Sequence, residues 1–238
     1  EDEVRNMMFR DKYKDEDYFN EVYHFNIEAF KRRELDTYKS RVLPQYINRY
    51  YSSQSLYTRE LVSMCYSLGH SLDEVFKWFK ISLNYYQKYY QTRGSIYTLI
   101  DYLSLAVLFE DRKEEFIEDV EKIFSKYQSF VDAGEQYEDG YIDTLALYLL
   151  EGKVENFRSR LEYLNMIGND ADSVIEAQKF WYYAHSEASW YDTHKTDDAY
   201  YGYWSFDTAA LCKMRGIYDE RFKDLDFFPY DLLVQEDK

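Results

Sequence analysis

The residues with the clearest potential for chemistry lie between His185 and Asp198. This stretch of 14 residues holds two imidazoles and four carboxylates, the side chains that a metal site or an acid–base pair requires. In a helix, however, the i+4 neighbour of His185 is Ser189, so His185 and His194 do not form the usual helical pair of metal ligands. A helix end followed by a polar loop is the simpler interpretation. Metal-dependent hydrolysis by His185, Asp192, His194 and Asp198 is kept as the weakest hypothesis.

The sequence lacks the usual signatures of enzymes. It contains no GxGxxG or GxxxxGK[ST] phosphate loop, no GxSxG and no HExxH. Cys65 and Cys212 are isolated, without CxxC or zinc-finger spacing, and the acidic start has no apolar segment typical of a signal peptide. We therefore expect a protein of the reducing cytoplasm that is not an enzyme and uses neither cofactor nor metal.

Aromatic residues are unusually frequent, with 28 Tyr, 16 Phe and 4 Trp making up 20% of the 238 residues. The densest block runs over residues 200–206. One interpretation is packing in the core; the other is a surface of exposed rings beside carboxylates, which suits a protein interface. The second interpretation predicts these partner-binding residues: Glu187, Trp190, Asp192, Asp197, Asp198, Tyr200, Tyr201 and Tyr203.

Charge limits the choice of partner. The 29 basic and 45 acidic side chains give a net charge of −16, and residues 111–238 account for −15 of it. Such a chain is repelled by phosphate backbones, so we expect no direct contact with nucleic acid and instead attraction of a basic protein. Plain solubility is the alternative explanation. A competing binding site lies in residues 111–140, which carry a net charge of −6 and include Glu114, Glu115 and Glu118.

The elements that position these residues are predicted to be helices, because 8 Gly and 2 Pro are too few for the turns of a many-stranded protein. The sequence predicts an all-α, multi-helix globule of antiparallel helices, with two helical subdomains packed together. The subdomains are predicted at 10–130 and 136–236. The predicted helices are 15–51 (broken near Pro44), 56–68, 71–91, 96–109, 113–128, 141–150, 154–165, 171–190 and 200–215.

Start and stop signals support several of these helices. Asp15 is a typical N-cap residue, Ser71 and Glu74 match a capping box, and Gly69 follows a helix end. Three- and four-residue steps predict that the first helix buries one face, made of Tyr18, Val22, Phe25, Ala29 and Phe30. The tail 227–231 is predicted to be extended, because proline disfavours helix at the preceding residue.

Two parts of the sequence carry a resemblance to a known family. The opening from Arg10 to Phe19 has the pattern Arg-Asp-x-x-x-Asp-x-x-Tyr-Phe, and a C-terminal signature comprises 190–195, 201–210, Gly216-Ile217 and 228–231. Together these resemble the polymorphic-nuclease immunity proteins (PoNi), over about residues 10–233. The resemblance implies a helical, non-enzymatic, cytoplasmic antidote that binds a secreted antibacterial DNase of the PD-(D/E)xK type.

The leading hypothesis is therefore an immunity protein that neutralises a basic nuclease toxin in a tight one-to-one complex. The alternative is a helical adaptor that binds a peptide in an aromatic groove without any role in toxin neutralisation. In either case we expect no membrane contact, and a monomer or a weak homodimer.

Overall fold

The computed structural model describes residues 9–91, 95–196 and 199–235. In these ranges the chain forms α-helices, 3-10 turns and loops, with no β-strand, which confirms the predicted all-α class. Contacts divide the chain into unit 1 (Glu1–Tyr89 and Asp192–Tyr203) and unit 2 (Tyr90–Tyr191 and Trp204–Lys238). The boundaries of these compact units differ from those of the predicted immunity domains, 10–130 and 136–236. The two immunity domains remain a prediction.

Unit 1 contains four α-helices in its described part: α1 (Glu16–Glu34), α2 (Asp36–Lys39), α3 (Ile47–Leu68) and α4 (Leu72–Tyr89). Helix α3 packs against both α1 and α4. The core between these helices contains fully buried side chains such as Phe19, Leu61 and Phe79. Burial of such side chains contributes about 1.5–3 kcal/mol each, so this three-helix core is the main source of stability in unit 1.

Helix α1 begins as predicted but differs in length and in its buried face. The Asp15 carboxylate accepts a hydrogen bond from the Tyr18 backbone N–H at 2.9 Å, which confirms the N-cap. The helix ends at Glu34, well before Pro44, and Phe25 is 64% exposed. The prediction of Phe25 as a core residue was wrong because polar Asn26 is the buried neighbour, donating to a Glu60 carboxylate oxygen at 2.8 Å. Hydrophobicity alone does not reveal such a position.

Helix α3 extends from Ile47, nine residues before the predicted start. Its middle part buries polar side chains that bond to the backbone: Gln54 donates to the Phe30 carbonyl at 3.2 Å, and Thr58 to the Gln54 carbonyl at 2.6 Å. These polar residues weaken the apolar pattern, which explains why 47–51 was assigned to the preceding helix and the start of this one was predicted at Leu56. The predicted end at Gly69 is confirmed by its left-handed φ of 79°.

Unit 2 is built around a helix that is apolar on nearly all sides. Helix α5 (Ile96–Leu108) packs against α7 (Gly140–Glu151) and α10 (Phe206–Arg215). The remaining helices are α6 (Ile117–Asp132), α8 (Glu162–Asn165), α9 (Ala171–Ala184) and α11 (Tyr230–Val234). The predicted helix 96–109 lies in the interior of unit 2, since every residue from Leu99 to Phe109 except Asp101 is buried.

The predicted helix at 154–165 was wrong over most of its length, because only Glu162–Asn165 is helical. Polar contacts hold the preceding residues in a non-helical path. The Asp139 carboxylate accepts from the Ser159 hydroxyl at 3.0 Å and from the Arg160 backbone N–H at 2.8 Å. Residues 151–156 are all exposed, so a helix there would have had no apolar face to bury.

Three further boundaries differ from the predicted ones. Helix α9 ends at Ala184 instead of 190, and α10 begins at Phe206 instead of 200. Gly202 has a φ of 105°, a conformation outside any right-handed helix. The tail is not extended throughout, because α11 forms directly after Pro229, where a fixed φ suits a helix start.

None of the helices in the described part of the chain combines the length and the apolarity that crossing a bilayer requires.

Candidate partner-binding surfaces

The described residues of the segment 192–203, which includes much of the predicted interface, belong to unit 1. It begins with Asp192, whose φ of 60° is left-handed, and continues as a 3-10 turn over Thr193–Lys195. The Asp192 carboxylate is half-buried and pairs with the Lys195 ammonium at 3.2 Å. This charge is therefore partly compensated before any partner arrives.

Tyr200 and Tyr203 lie in the interior of unit 1 and are only 1% and 3% exposed. The Tyr200 hydroxyl donates a short hydrogen bond to the Asp11 carboxylate, and the Tyr18 hydroxyl receives the Tyr200 backbone N–H at 2.7 Å. Burial and the Asp11 charge raise the pKa of Tyr200. Buried rings offer no surface to a partner, so this structure supports core packing for these two tyrosines.

The hydroxyl of Tyr203 is also bonded inside unit 1. It lies 2.7 Å from His194 Nδ1, and it accepts the His194 backbone N–H at 3.0 Å. The His194 ring stacks on Tyr13 with ring centroids 4.1 Å apart. The two sequence signatures therefore meet here, the N-terminal one through Asp11, Tyr13 and Tyr18 and the C-terminal one through His194 and Tyr203, with Tyr200 between them in the chain.

Of the other predicted residues, Glu187 and Trp190 belong to unit 2. Glu187 is exposed. Trp190 is half-buried and stacks on Trp181 with ring centroids 5.5 Å apart. Tyr201 is half-buried, and its carbonyl accepts from the Ser67 hydroxyl at 3.4 Å. Asp197 and Asp198 lie outside the described residues.

Asp207, four residues after Tyr203, is buried within unit 2. Its carboxylate accepts from Trp181 Nε1 at 3.1 Å and, at a shorter distance, from the Tyr163 hydroxyl. Burial raises the pKa of Asp207. Beside it, buried His185 has its Nδ1 2.7 Å from the Trp181 carbonyl. Both groups are engaged inside the protein.

The hypothesis of a metal-dependent hydrolase gains no support from this geometry. Among the residues that the structure describes, no group of three or more His, Cys, Asp or Glu side chains is arranged to hold a metal ion. His185 is in unit 2 and His194 is in unit 1, each held by its own neighbours.

A more accessible acidic surface lies in unit 2, just after α5. We call it the acidic face and define it by five exposed side chains: Asp111, Glu114, Glu115, Glu118 and Glu121. They occupy a 3-10 segment (Glu110–Glu115) and the first turns of α6. Within the described residues only Glu115 forms an ion pair, with Arg112 at 3.0 Å. The other four carboxylates are open to a basic partner.

Unit 2 also exposes aromatic rings, and one of them, Tyr218, lies near the acidic face. Tyr218 is 54% exposed, and burial of the rest of the ring together with the Glu110 and Asp111 charges raises its pKa. On α9, Phe180 and Tyr183 are exposed three residues apart. The i,i+3 spacing of Phe180 and Tyr183 was a visible signal, whereas Tyr218 is adjacent to Asp111 only through the fold.

Comparison with known families gives two matches to this chain. The profile described as PoNe immunity protein (PoNi), N-terminal, matches residues 10–118, and the profile described as PoNe immunity proteins (PoNi), C-terminal, matches residues 155–232. Comparisons with curated proteins and with solved structures gave no match.

Proposed function

The chain belongs to the PoNe immunity protein family and is thus an immunity protein against a polymorphic nuclease toxin, and we propose that it neutralises a DNase of the PD-(D/E)xK type through its acidic C-terminal half. The observation that carries the proposal is that both parts of the family pattern are present, at 10–118 and 155–232. We further propose that it acts in the cytoplasm as a monomer or weak homodimer, without catalysis and without a cofactor.

The distribution of charge supports a basic partner. Unit 2 carries 28 acidic and 14 basic side chains, whereas unit 1 carries 17 acidic and 15 basic ones. A DNase has to present Lys and Arg to the phosphates of its substrate. The field of unit 2 is complementary to such a surface, and complementary fields accelerate association.

Within unit 2, the acidic face is the surface that we propose for toxin binding. Its carboxylates are exposed, and four of them have no ion pair to break among the described residues. Tyr218 adds an amphipathic ring of the kind enriched at interface hot spots. A lysine or arginine of the toxin can therefore replace water at these carboxylates without displacing an internal partner.

The test is a paired charge reversal, Glu114→Lys with Glu121→Lys, measured as the affinity for the purified cognate nuclease. We expect binding to weaken by about 2 kcal/mol or more, as at a hot spot, with inhibition of DNA cleavage lost in parallel. Glu21→Lys with Glu28→Lys is the matched control, because these two glutamates are also exposed and seven positions apart but lie on α1. An equal loss in both pairs would indicate a general effect of net charge.

The predicted block at 187–203 remains the second candidate for the binding site. Its accessible part in unit 2 is Glu187, which is exposed and close enough to Tyr97 to raise the pKa of that tyrosine, in addition to burial. Asp197→Lys with Asp198→Lys tests the other part. If this pair abolishes binding while Glu114→Lys with Glu121→Lys does not, the toxin binds at 187–203 instead of the acidic face.

Whether the chain protects cells is tested by co-expression with the nuclease. Survival of cells that express both proteins, and death of cells that express the nuclease alone, is the expected result. Failure of the purified wild-type chain to bind or inhibit the nuclease would overturn the proposal.

A further inference from the structure

A groove of about 650 Å³ in unit 1 has a chemistry opposite to that of the acidic face. It lies where the chain passes from α1 through α2 into α3. Three arginines, Arg33, Arg41 and Arg49, line it, together with Tyr38, Leu43 and Tyr46. No acidic side chain is among its lining residues. In a chain with a net charge of −16, this local concentration of guanidinium groups stands apart.

Two of the arginines are available for binding. Arg41 and Arg49 are exposed, and neither has a carboxylate partner within the described residues. Arg33 is half-buried, donating to the Ala29 carbonyl at 3.3 Å with its guanidinium 4.8 Å from the Tyr57 ring centroid. Guanidinium groups bind carboxylates in a bidentate manner, so the groove offers two free positions of this kind beside a fixed third one.

Glu34, the neighbour of Arg33 in the sequence, is bonded to other groups. It pairs with the Lys39 ammonium at 2.7 Å and accepts from Gln54 Nε2 at 2.8 Å. The Tyr50 hydroxyl, from a residue that lines the groove, donates to the Arg33 carbonyl at 3.0 Å and lies 3.3 Å from Glu34. Glu34 is therefore already engaged by Lys39, Gln54 and Tyr50, and within the described residues it forms no ion pair with the three arginines of the groove.

The rim of the groove is apolar. Leu43 is 52% exposed and Tyr46 is 53% exposed, and both belong to the short connection between α2 and α3. Exposed apolar groups next to free cations suit a ligand with an apolar side chain flanked by carboxylates. The groove volume of about 650 Å³ is in the range of pockets that hold small ligands. A groove of this size suits a short peptide segment better than a flat protein surface.

We propose that this groove binds an acidic segment of the nuclease toxin, one in which carboxylates flank an apolar side chain. The inference rests on the proposed function, since it takes the toxin as the partner. It adds a second contact of opposite polarity: the acidic face binds basic residues of the toxin, and the groove binds acidic ones. Such a combination discriminates among partners, because a nuclease with only one of the two charge patterns leaves the other surface unpaired.

The test replaces the two free guanidinium groups, with Arg41→Gln and Arg49→Gln in the full chain. The matched control is Lys31→Gln with Arg32→Gln, which removes two exposed cations of α1 that do not line the groove. We expect the dissociation constant for the nuclease to rise by about tenfold or more in the groove variant and to change little in the control. Equal melting temperatures of both variants verify that the fold is intact.

A peptide probe tests the chemistry of the groove directly. The peptide acetyl-Glu-Leu-Glu-Phe-Glu-amide is titrated into the wild-type chain, and the same peptide with Gln in place of Glu serves as its control. We expect binding of the Glu peptide alone, and loss of that binding in the groove variant. Equal binding of both peptides would overturn the proposed preference for carboxylates.

The outcomes separate this inference from the proposed function. If the wild-type chain does not bind the nuclease, the proposed function fails and the inference fails with it. If the wild-type chain binds the nuclease but the groove variant binds equally well, only the inference is overturned. Loss of self-association in the groove variant, measured by sedimentation, would assign the groove to a second copy of the chain and would also overturn it.

Discussion

At the scale of single residues, hydroxyl groups of buried tyrosines hold distant parts of the sequence together. Asp11 and Tyr200 are separated by 189 positions, yet the Tyr200 hydroxyl donates to the Asp11 carboxylate inside unit 1. The sequence shows that the 200–206 block is rich in aromatic residues. Whether these rings lie in the core or on the surface depends on residues far away in the chain, such as Asp11, and no local pattern reveals those contacts. For this reason the block fitted both interpretations, and only the fold distinguishes them.

Replacement of Tyr200 by Phe tests this structural role. The change removes one hydroxyl and leaves the buried side of the Asp11 carboxylate without a donor, so we expect a loss of about 1–3 kcal/mol in the free energy of unfolding. Tyr183→Phe, at a position that is 70% exposed, is the control and should be nearly neutral. Denaturant unfolding measures both. If the folded Tyr200→Phe variant lost most of its affinity for the nuclease, a direct contact role would be indicated instead.

Asp143 in α7 gives a prediction for pH dependence. Burial, followed by a hydrogen bond with Glu138, raises the pKa of Asp143 to about 7. The pKa of an aspartate in an unfolded chain is about 4, so the folded state holds the proton more tightly. The resulting stabilisation is complete below about pH 4 and is lost as the pH rises through about 7.

We therefore expect the melting temperature of Asp143→Asn to be close to that of the wild type at pH 4.5 and higher than that of the wild type at pH 8. The asparagine amide can still donate to Glu138, and it has no charge to desolvate. Asp224→Asn, at an exposed site in the same unit, controls for the change in net charge. The same shift in melting temperature at both pH values would contradict the raised pKa.

At the scale of elements, capping residues and glycines predicted where helices begin and end. The spacing of apolar residues was a less reliable guide to which segments are helical. Asp15, Gly69 and Ser71 all mark real boundaries, because their side chains or backbone conformations act within a few residues. The stretch 154–161 was misassigned because its path depends on the Asp139 carboxylate, about 20 positions away. Local chemistry is visible in a sequence, whereas bonds between remote segments are not.

Gly140 is an element boundary at which two backbone segments touch. A Cβ atom at this position would lie 2.5 Å from the Arg158 carbonyl oxygen, closer than real Cβ contacts. The Gly140 backbone N–H also donates to that oxygen at 3.1 Å, so the segment cannot easily move away. Only glycine allows α7 to begin in contact with the irregular segment 152–160.

Gly140→Ala should therefore lower the free energy of unfolding by about 1–3 kcal/mol, the usual cost of overpacking. Gly168→Ala is the matched change within unit 2, since a Cβ there would lie at an ordinary 3.7 Å from the Ser173 hydroxyl. This control should change stability by less than about 0.5 kcal/mol. Equal stability of the two variants would mean that the chain near Arg158 relaxes freely.

At the scale of the whole molecule, the uneven distribution of charge is the property most directly linked to an immunity role. Composition alone gave the net charge of −16 and its concentration after residue 110. Which carboxylates are accessible required the fold: Asp207 is buried and Asp192 is paired, whereas the acidic face is exposed. The composition thus predicts a basic partner, and the exposure of the carboxylates is the reason that we propose the acidic face ahead of 187–203 as the contact.

The last prediction concerns the rate at which the chain captures its toxin. If the field of unit 2 steers a basic nuclease, raising the salt concentration from low to several hundred millimolar should slow association by about tenfold or more, because screening shortens the range of attraction. Dissociation should change little, since contacts at short range are screened less. Stopped-flow measurements on the wild-type chain and on Glu114→Lys with Glu121→Lys separate the two rates. The variant should associate more slowly at low salt and show a weaker salt dependence. An association rate independent of salt would mean that the acidic side chains serve solubility alone.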